Sequence, residues 1–287
     1  MLESEKGEFE ESQIAFFGGS FTAIERDRME KLLSVANEYI DSGVATGIRI
    51  STRPDKIDEE ILSVLKKYRV THIELGVQST DDSVLIKSER GHLAKDSFES
   101  AKLITENGFV FGGQMMIGLP GSTVESEIQT ARDIVKMGAS EARIYPTVVF
   151  EGTKLYDMAM NGEYKPLSTE EAVARTAKCA RIFYEAGVKL LRIGLHSSEN
   201  LKNAPLGANH PAIGELVKSR IYTDIISEKA GDCTGKKLII RISKKDISML
   251  SGHNGIAIEL LKKKTNASEI KIMGENLPRF KPIAEKN

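Results

Sequence analysis

Four short segments of the chain combine glycines with single polar or charged side chains, and each lies at the end of an apolar stretch. They are residues 18–22 (GGSFT), 51–55 (STRPD), 76–79 (GVQS) and 118–121 (GLPG). Glycine permits unusual backbone conformations and lets a ligand approach the backbone closely. An arginine can bind a carboxylate through two hydrogen bonds, and a carboxamide can bond to hydroxyl groups. Together these groups suit a zwitterionic ligand that carries a carboxylate, an amine and a ribose.

The candidate cofactor-binding residues come from these segments and from the nearby stretch at residues 90–92 (RGH). Each motif alone has an ordinary structural interpretation, because Gly-Gly-Ser is usually a turn and a single arginine usually lies on the surface. Their repetition in order along the chain is more specific than any one of them. The predicted site consists of Gly18, Gly19, Ser20, Thr22, Arg53, Gln78, Arg90 and Gly118.

The elements that must position these residues alternate between β-rich stretches and amphipathic helical patterns. Such alternation is typical of parallel βα units, and continuously apolar strands are expected where helices cover both faces of a sheet. Six strands predict either a partial barrel or an open sheet. In both, the functional edge lies at the carboxyl ends of the strands, where the glycine-containing segments would meet. The predicted strands span residues 13–17, 47–51, 71–77, 110–117, 143–149 and 189–195.

Length and composition limit the class of protein. The chain has 287 residues, 40% of them hydrophobic, which allows one large domain and a small one, and no apolar stretch is long enough to span a bilayer. The acidic N-terminus is unlike a signal or transit peptide. The two cysteines, Cys179 and Cys233, lie far apart and match no metal-binding spacing. These features predict a cytoplasmic protein in a reducing compartment.

The ordered motifs resemble the radical S-adenosylmethionine (SAM) superfamily, in the branch that contains the Elongator catalytic subunit and the oxygen-independent coproporphyrinogen oxidases. Residues 17–22 (FGGSFT) resemble the Gly-Gly motif that contacts the SAM amino group. Residues 74–79 (ELGVQS) and 90–92 (RGH) resemble stretches whose Gln and Arg face SAM. The resemblance covers residues 13–197. It implies SAM as cofactor and an α/β fold, a partial (β/α)6 TIM-like barrel.

Two departures from the family pattern affect the expected chemistry. Ser51 stands where the family often has Glu, so no ribose-binding role is transferred to that position. The family also places Cys-x-x-x-Cys-x-x-Cys before its Gly-Gly motif, because a 4Fe–4S cluster takes three protein thiolates when SAM occupies the fourth iron. No cysteine precedes Gly18, so we expect no metal ligands in this chain.

Three explanations of the missing cysteines stay open: a late start, a degenerate relative without catalysis, or cysteines from another polypeptide. We favour the late start. The barrel would then lack its first strand and its cluster loop, and the 4Fe–4S cluster would belong only to the complete protein. On this hypothesis the chain as given is a radical SAM enzyme by resemblance but is inactive alone.

Residues 229–287 differ from the rest of the chain, with 13 Lys and Arg against 6 Asp and Glu. We place a domain boundary here, between residues 1–228 and 229–287. Over residues 237–273 the pattern predicts strand, helix, helix and strand, which resembles a KH module whose Gly-x-x-Gly loop clamps a nucleic-acid backbone. The alternative is a small βααβ unit with a helix-capping glycine and a solvated lysine face. The RNA-binding candidates are Lys244, Lys245, Gly252, His253, Asn254, Gly255, Lys262, Lys263 and Lys264.

The combined resemblance implies an enzyme that modifies RNA, specifically tRNA, through 5′-deoxyadenosyl radical chemistry in its complete form. Its expected partners are tRNA and a reductant such as ferredoxin or flavodoxin, and no membrane. Tyr145 and His196 are the candidates for contact with the substrate. Two other functions stay open: a cluster-free relative that binds SAM or RNA without catalysis, and a coproporphyrinogen-oxidase-like enzyme that acts on a small molecule.

Overall fold

The computed structural model describes residues 12–196, 201, 203–252 and 255–287. The strands, β1 to β11 in chain order, span Gln13–Phe16, Gly47–Thr52, Val70–Gln78, Val110–Ile117, Glu141–Pro146, Val148–Val149, Lys189–Ile193, Leu206–Gly207, Lys237–Ser243, Glu269–Glu275 and Ile283–Lys286. The helices, which we label α1 to α10, span Arg26–Asp41, Glu59–Lys67, Asp82–Lys87, Ala94–Glu106, Val124–Lys136, Lys154–Met160, Thr169–Glu185, Ile213–Ala230, Ile247–Ser251 and Ile256–Thr265.

The chain divides into two compact units. The first comprises the residues up to Thr147 together with Ile182–Ile193, and the second comprises Val148–Arg181 and Gly194–Asn287. Within the described residues, none of the helices combines the length and the apolar character that crossing a membrane requires.

The first unit contains a sheet of six parallel strands in the order β1-β2-β3-β4-β5-β7. Each strand pairs with the preceding strand of this sheet, without the reversal of strand order that marks a doubly wound open sheet. The sheet is therefore a half-barrel, which the family resemblance implied and which was one of the two arrangements that the six-strand pattern predicted. β1 lies at one edge of the described sheet, and the hypothesis that a preceding strand is missing stays untested.

The two faces of this sheet differ, because successive residues of a strand point to opposite sides. One face is apolar and is covered by helices: Ile134 of α5 lies so close to Gly113 that a Cβ there would come within 2.4 Å of it. The other face carries charged side chains, so the expectation of apolar residues on both faces was wrong. The fully buried residues of the apolar face include Ile48, Ile50, Ile73, Leu75 and Ile144.

Reciprocal side-chain bonds begin two of the helices. Before α7, the Ser168 amide donates to Glu171 at 2.8 Å and the Glu171 amide donates to the Ser168 hydroxyl at 3.2 Å, which is a capping box. The cap of α5 is Thr123, which exchanges hydrogen bonds with Ser126.

The C-terminal part of the second unit has the predicted order of strand, helix, helix and strand, in β9, α9, α10 and β10. β9 pairs in parallel with β10 and antiparallel with β11, a strand that the sequence pattern did not predict. Helix α8 contributes Tyr222 and Ile226 to the same core as Leu238 and Ile240. Helix α8 runs through residues 228 and 229, where the sequence pattern placed a domain boundary. That boundary stays a prediction.

Candidate functional site

The carboxyl ends of β1 to β4 meet at one edge of the first unit, as their parallel pairing requires. Two contacts join the loops that follow these strands. The Thr22 hydroxyl oxygen lies 2.6 Å from that of Thr52, and Arg53 Nη2 donates to the Gly91 carbonyl at 3.0 Å. The structure thus brings together loops that the sequence separates by about 30 to 40 residues.

Gln78 ends β3 in an unusual conformation. Its φ is +63°, which non-glycine residues rarely adopt. Its carboxamide folds back over Gly76, where a Cβ would lie 2.6 Å from Nε2, so glycine at 76 leaves the room that this side chain occupies. The carboxamide oxygen is buried and has no hydrogen-bond partner. A buried acceptor without a donor is complementary to an amine or hydroxyl of a ligand.

Arg90 lies in the loop between α3 and α4. One guanidinium nitrogen, Nη2, lies 2.8 Å from the sulfur of Met116, and Nε is buried without a partner. Burial lowers the pKa of Arg90, and no carboxylate opposes this effect. A half-buried guanidinium without a described counterion is complementary to an anionic ligand group, and a carboxylate can accept two parallel hydrogen bonds from it.

Arg53 is already paired with protein groups. It donates to both carboxylate oxygens of Asp55, at 2.8 and 3.0 Å, in addition to the Gly91 carbonyl. Burial raises the pKa of Asp55, but the hydrogen bonds and charge of Arg53 outweigh it, so the pKa of Asp55 lies below its ordinary value. Arg53 therefore holds the loop that carries Arg90. A direct role in cofactor binding stays a prediction.

The loop after β1 separates into an anchored part and an open part. The buried Thr22 hydroxyl donates to the Lys56 carbonyl at 2.7 Å and also contacts Thr52, so it fixes the loop. The Ser20 carbonyl accepts from the amide of Ala23 at 3.0 Å. The hydroxyl of Ser20 makes no capping hydrogen bond to the helical turn that follows it. Gly18 and Gly19 are exposed, and a Cβ on either would meet nothing within 4 Å. Both backbones can be approached by a ligand.

Glu127 is a site residue that the sequence analysis missed. This buried residue of α5 accepts from the Gly118 amide at 2.7 Å and from the Ser122 hydroxyl at 3.0 Å. It thereby holds the turn after β4, in which Gly118 has a φ of +79°. The sequence feature that could have identified Glu127 was an acidic residue on the otherwise apolar side of a helix.

The polar face of the half-barrel was also missed. Glu74 lies at its centre and accepts from Arg49 Nη1 at 2.8 Å, from Arg143 Nε at 2.6 Å and from Gln114 Nε2 at 2.8 Å. Arg49 also donates to Glu141 at 2.6 Å. The signal was an alternation of polar and apolar residues in residues 47–51 (GIRIS), 72–76 (HIELG) and 142–145 (ARIY).

The charge state of Glu74 follows from these partners. Burial raises the pKa of Glu74, whereas the hydrogen bonds from Arg143, Gln114 and Arg49 lower it, and the net pKa lies below the ordinary value. The carboxylate is therefore ionised at neutral pH. It bridges four strands, because its partners lie on β2, β4 and β5 while Glu74 lies on β3.

Of the two substrate-side candidates, Tyr145 lies on the polar face two residues beyond Arg143. Its pKa is raised, first by burial, so its phenol is protonated at neutral pH and can donate. His196 belongs to the second unit and is exposed. Contact between either residue and a substrate stays a prediction.

The residues present fit SAM but not an iron–sulfur cluster. The unpartnered groups of Gln78 and Arg90 suit the ribose or amine and the carboxylate of SAM. In contrast, the described residues contain no group of three His, Cys, Asp or Glu side chains that could hold a metal. Cys179 and Cys233 are buried and belong to the second unit. No thiolate set for a cluster exists in the described chain.

The candidate RNA-binding residues lie in the C-terminal part of the second unit. Gly255, with a φ of +76°, directly precedes α10, and a Cβ on Gly252 would lie 2.6 Å from the Ser248 carbonyl oxygen. His253 and Asn254 lie outside the described residues. The five lysines are exposed, and Lys264 is paired with Asp224: Lys244, Lys245, Lys262, Lys263 and Lys264.

Two family patterns match this chain. The pattern of the radical SAM superfamily matches residues 3–134, and that of the radical SAM C-terminal domain matches residues 139–223. Together they include the half-barrel strands and the four glycine-containing segments. The chain belongs to the radical SAM superfamily.

Similar proteins identify the branch. The tRNA uridine(34) acetyltransferase of Methanocaldococcus infernus is 35% identical over 127 residues, which is 43% of this chain and 24% of the relative. Human Elongator complex protein 3 is 35% identical over 135 residues, 46% of this chain and 25% of the relative. An uncharacterized protein of Methanocaldococcus jannaschii is 29% identical over 178 residues, 61% of this chain and 54% of the relative. The match covers about a quarter of the length of the first two.

The fold agrees with this branch. The solved structure of the archaeal Methanocaldococcus infernus Elp3 with residues 1–46 deleted has a TM-score of 0.67 and 26% sequence identity, and the match covers 74% of this chain and 54% of that one. The resemblance to the Elongator-type branch, drawn from the ordered motifs, is confirmed.

Proposed function

We propose that this chain forms the SAM-binding half-barrel and an RNA-binding module of a tRNA-modifying radical SAM enzyme. One observation carries the proposal: at a single strand-end edge lie a guanidinium without a described carboxylate partner, in Arg90, and a buried carboxamide oxygen without a donor, in Gln78. The methionine carboxylate of SAM would bind Arg90, and an amine or ribose hydroxyl would donate to Gln78. The carbonyls of Gly18 and Gly19 would accept from the amine.

The chain's own residues then bind and orient SAM rather than cleave it. Bound SAM supplies a sulfonium nucleoside, whose reductive cleavage starts radical chemistry. The described residues offer no set of three thiolates for the cluster that delivers the electron. We assign cleavage to the complete protein, with cysteines supplied outside these residues and a ferredoxin or flavodoxin as reductant. The chain alone would be inactive. Two buried free thiols fit a reducing cytoplasm as its place of action.

RNA is the proposed substrate because the activity named for one matched relative is on tRNA uridine 34. The Gly-x-x-Gly segment adds a second, independent argument, and the same module carries exposed lysines, of which Lys262, Lys263 and Lys264 lie in the last turn of α10. Gly255 directly precedes a helix of 10 residues, whose first amides can bind a phosphate. The lysines add attraction for a polyanion.

SAM binding is tested by isothermal titration of the chain with SAM. Arg90→Gln removes the charge, and we expect the Kd to rise about 10- to 100-fold, the range for a lost charge-assisted hydrogen bond. Arg28→Gln removes an exposed arginine of α1 and serves as the matched control, with no expected change. Equal Kd values for wild type and Arg90→Gln would contradict the assignment.

RNA binding is tested at Gly255 rather than at Gly252, where the carbonyl of Ser248 leaves no room for a side chain. Gly255 has open space, and both Asp and Asn tolerate positive φ. Gly255→Asp adds a negative charge beside the phosphates, whereas Gly255→Asn has nearly the same shape without the charge. We expect tRNA retardation in gels to weaken at least tenfold more for Asp than for Asn. Equal binding by the two variants would remove the loop from the proposal.

A second candidate function is supported by the missing thiolates: binding of SAM and RNA without redox chemistry. Anaerobic reconstitution of the protein produced from its complete gene separates the two. Cleavage of SAM to 5′-deoxyadenosine supports the enzyme, and SAM binding without cleavage supports the cluster-free relative.

A further inference from the structure

The polar face of the half-barrel ends, at its β7 side, with two neighbouring arginines. After a bulge at Leu191, the pairing register places Arg143 of β5 beside Arg192 of β7, and the charge of Arg192 acts on Tyr145 of the same polar face, so both arginines lie on that face. Like charges side by side on one face of a sheet destabilise it unless they are neutralised. Arg143 is neutralised, because it donates to both oxygens of Glu74, at 2.6 and 3.0 Å.

Arg192 has no such partner. The carboxylates of this face are occupied: Glu74 accepts from Arg49 and Arg143, and Glu141 accepts from Arg49. In the part of the chain that the structure describes, the half-buried Arg192 has neither an ion pair nor a hydrogen bond. Ordering this side chain beside another cation has a cost that no described contact offsets.

Tyr145 supplies a second donor at the same place. It follows Arg143 by two residues on β5, which puts both on the polar face. Its hydroxyl is hydrogen-bonded to Arg143 and is also within electrostatic reach of Arg192. The ring of Phe17 lies 5.0 Å from the guanidinium carbon of Arg143 and covers it. Arg192 is therefore the cation of this pair that is left for a ligand.

We infer that Arg192 and Tyr145 form an anion-binding subsite that takes a phosphate group of the substrate. Among the described residues of this face, three arginines and Lys189, which pairs with Glu141 in the register, outnumber the two glutamates, so positive charge is left uncompensated. A guanidinium presents two parallel donors to an oxyanion. The choice of phosphate over a carboxylate rests on the proposed RNA substrate. The subsite lies at the β5–β7 end of the sheet, whereas the groups assigned to SAM follow β1, β3 and β4.

The test uses inorganic phosphate and the full chain, with neither SAM nor activity as a readout. Arginine Nε resonances are followed in ¹H–¹⁵N spectra during titration, and Arg192→Gln assigns the Arg192 signal by its disappearance. We expect the Arg192 signal to shift with saturation in the wild type. Tyr145→Phe should raise the Kd of that shift about tenfold, and Arg28→Gln should leave it unchanged.

Measurements of Tm distinguish a ligand-binding role of Arg192 from a purely structural one. Because Arg192 has no described partner and lies beside Arg143, Arg192→Gln should leave the Tm unchanged or raise it. Arg192→Lys should likewise not lower the Tm. A fall in Tm of both variants, or an Arg192 signal that does not respond to phosphate, would overturn the inference. A response to acetate at equal affinity would overturn the phosphate assignment. Failure of tRNA binding with an intact phosphate shift would instead count against the proposed function.

Discussion

Glu74→Gln is the perturbation for which the structure gives the clearest magnitude. Each carboxylate oxygen of Glu74 accepts two hydrogen bonds, Oε1 from Arg49 and Arg143 and Oε2 from Arg143 and Gln114. Glutamine has nearly the same shape, but whichever oxygen its amino group replaces, that group meets two donors. The substitution therefore removes the charge and also sets donor against donor.

The expected cost is large because the site is buried. The side chain of Glu74 is 1% exposed, and Arg143 is left without a carboxylate, while Arg49 keeps Glu141. Removing one partner of a buried ion pair costs about 3–5 kcal/mol. Glu60→Gln is the matched control, since its ion pair with Arg26 lies at the surface with Glu60 80% exposed. Loss of such a pair costs about 0–1 kcal/mol.

The assay is urea unfolding followed by circular dichroism, with the free energy of unfolding extrapolated to water. A loss below about 1 kcal/mol for Glu74→Gln would refute the argument that this carboxylate holds the sheet together. The pH dependence gives a second check. Since the folded pKa of Glu74 is depressed, its contribution is present above the unfolded pKa and is lost as pH falls through the folded pKa. The difference between wild type and variant should shrink in acid.

Three further predictions concern the cofactor edge and the C-terminal module. Gly76→Ala places a Cβ 2.6 Å from Gln78 Nε2, a mobile group, so titration calorimetry should show weaker SAM binding while the Tm changes little. Thr22→Val removes the hydroxyl that anchors the first loop and should cost about 1–3 kcal/mol in urea unfolding, whereas Thr22→Ser should retain most of that stability. Asp246→Asn weakens three hydrogen bonds from Arg279 and should destabilise the second unit by about 1–3 kcal/mol. Because the pKa of Asp246 is lowered, this effect should be full at neutral pH and fade in acid. A Thr22→Val or Asp246→Asn variant as stable as wild type would contradict its prediction.

The half-barrel strands and the shared edge could be predicted from the sequence for a physical reason. Glycines end the apolar stretches at Gly18 and Gly118, and parallel strands in sequential order place their carboxyl ends together. The βααβ order of the C-terminal module followed from local patterns alone. The strand β11 did not, because a strand of 4 residues after a proline-containing loop has too little periodicity to stand out.

The partners of the site residues could not be predicted, because they come from distant parts of the chain. Thr22 and Arg53 have side chains typical of ligand-binding residues, yet their donor groups are largely bonded to other protein groups. Several of these partners lie 30 to 38 positions away in the sequence. The polar face joins Glu74 to Arg143 across 69 positions. Its alternation of polar and apolar residues was present in the sequence, but the apolar stretches at residues 14–17 and 115–117 suggested strands covered by apolar side chains on both faces.

Hydrogen–deuterium exchange of the chain with and without SAM would show whether the strand-end edge of the first unit binds SAM. We expect slower exchange in peptides that contain residues 18–22, 78–80, 90–92 and 118–121, all at this edge, with no change on α1. Protection confined to the second unit, or no protection at saturating SAM, would contradict this expectation.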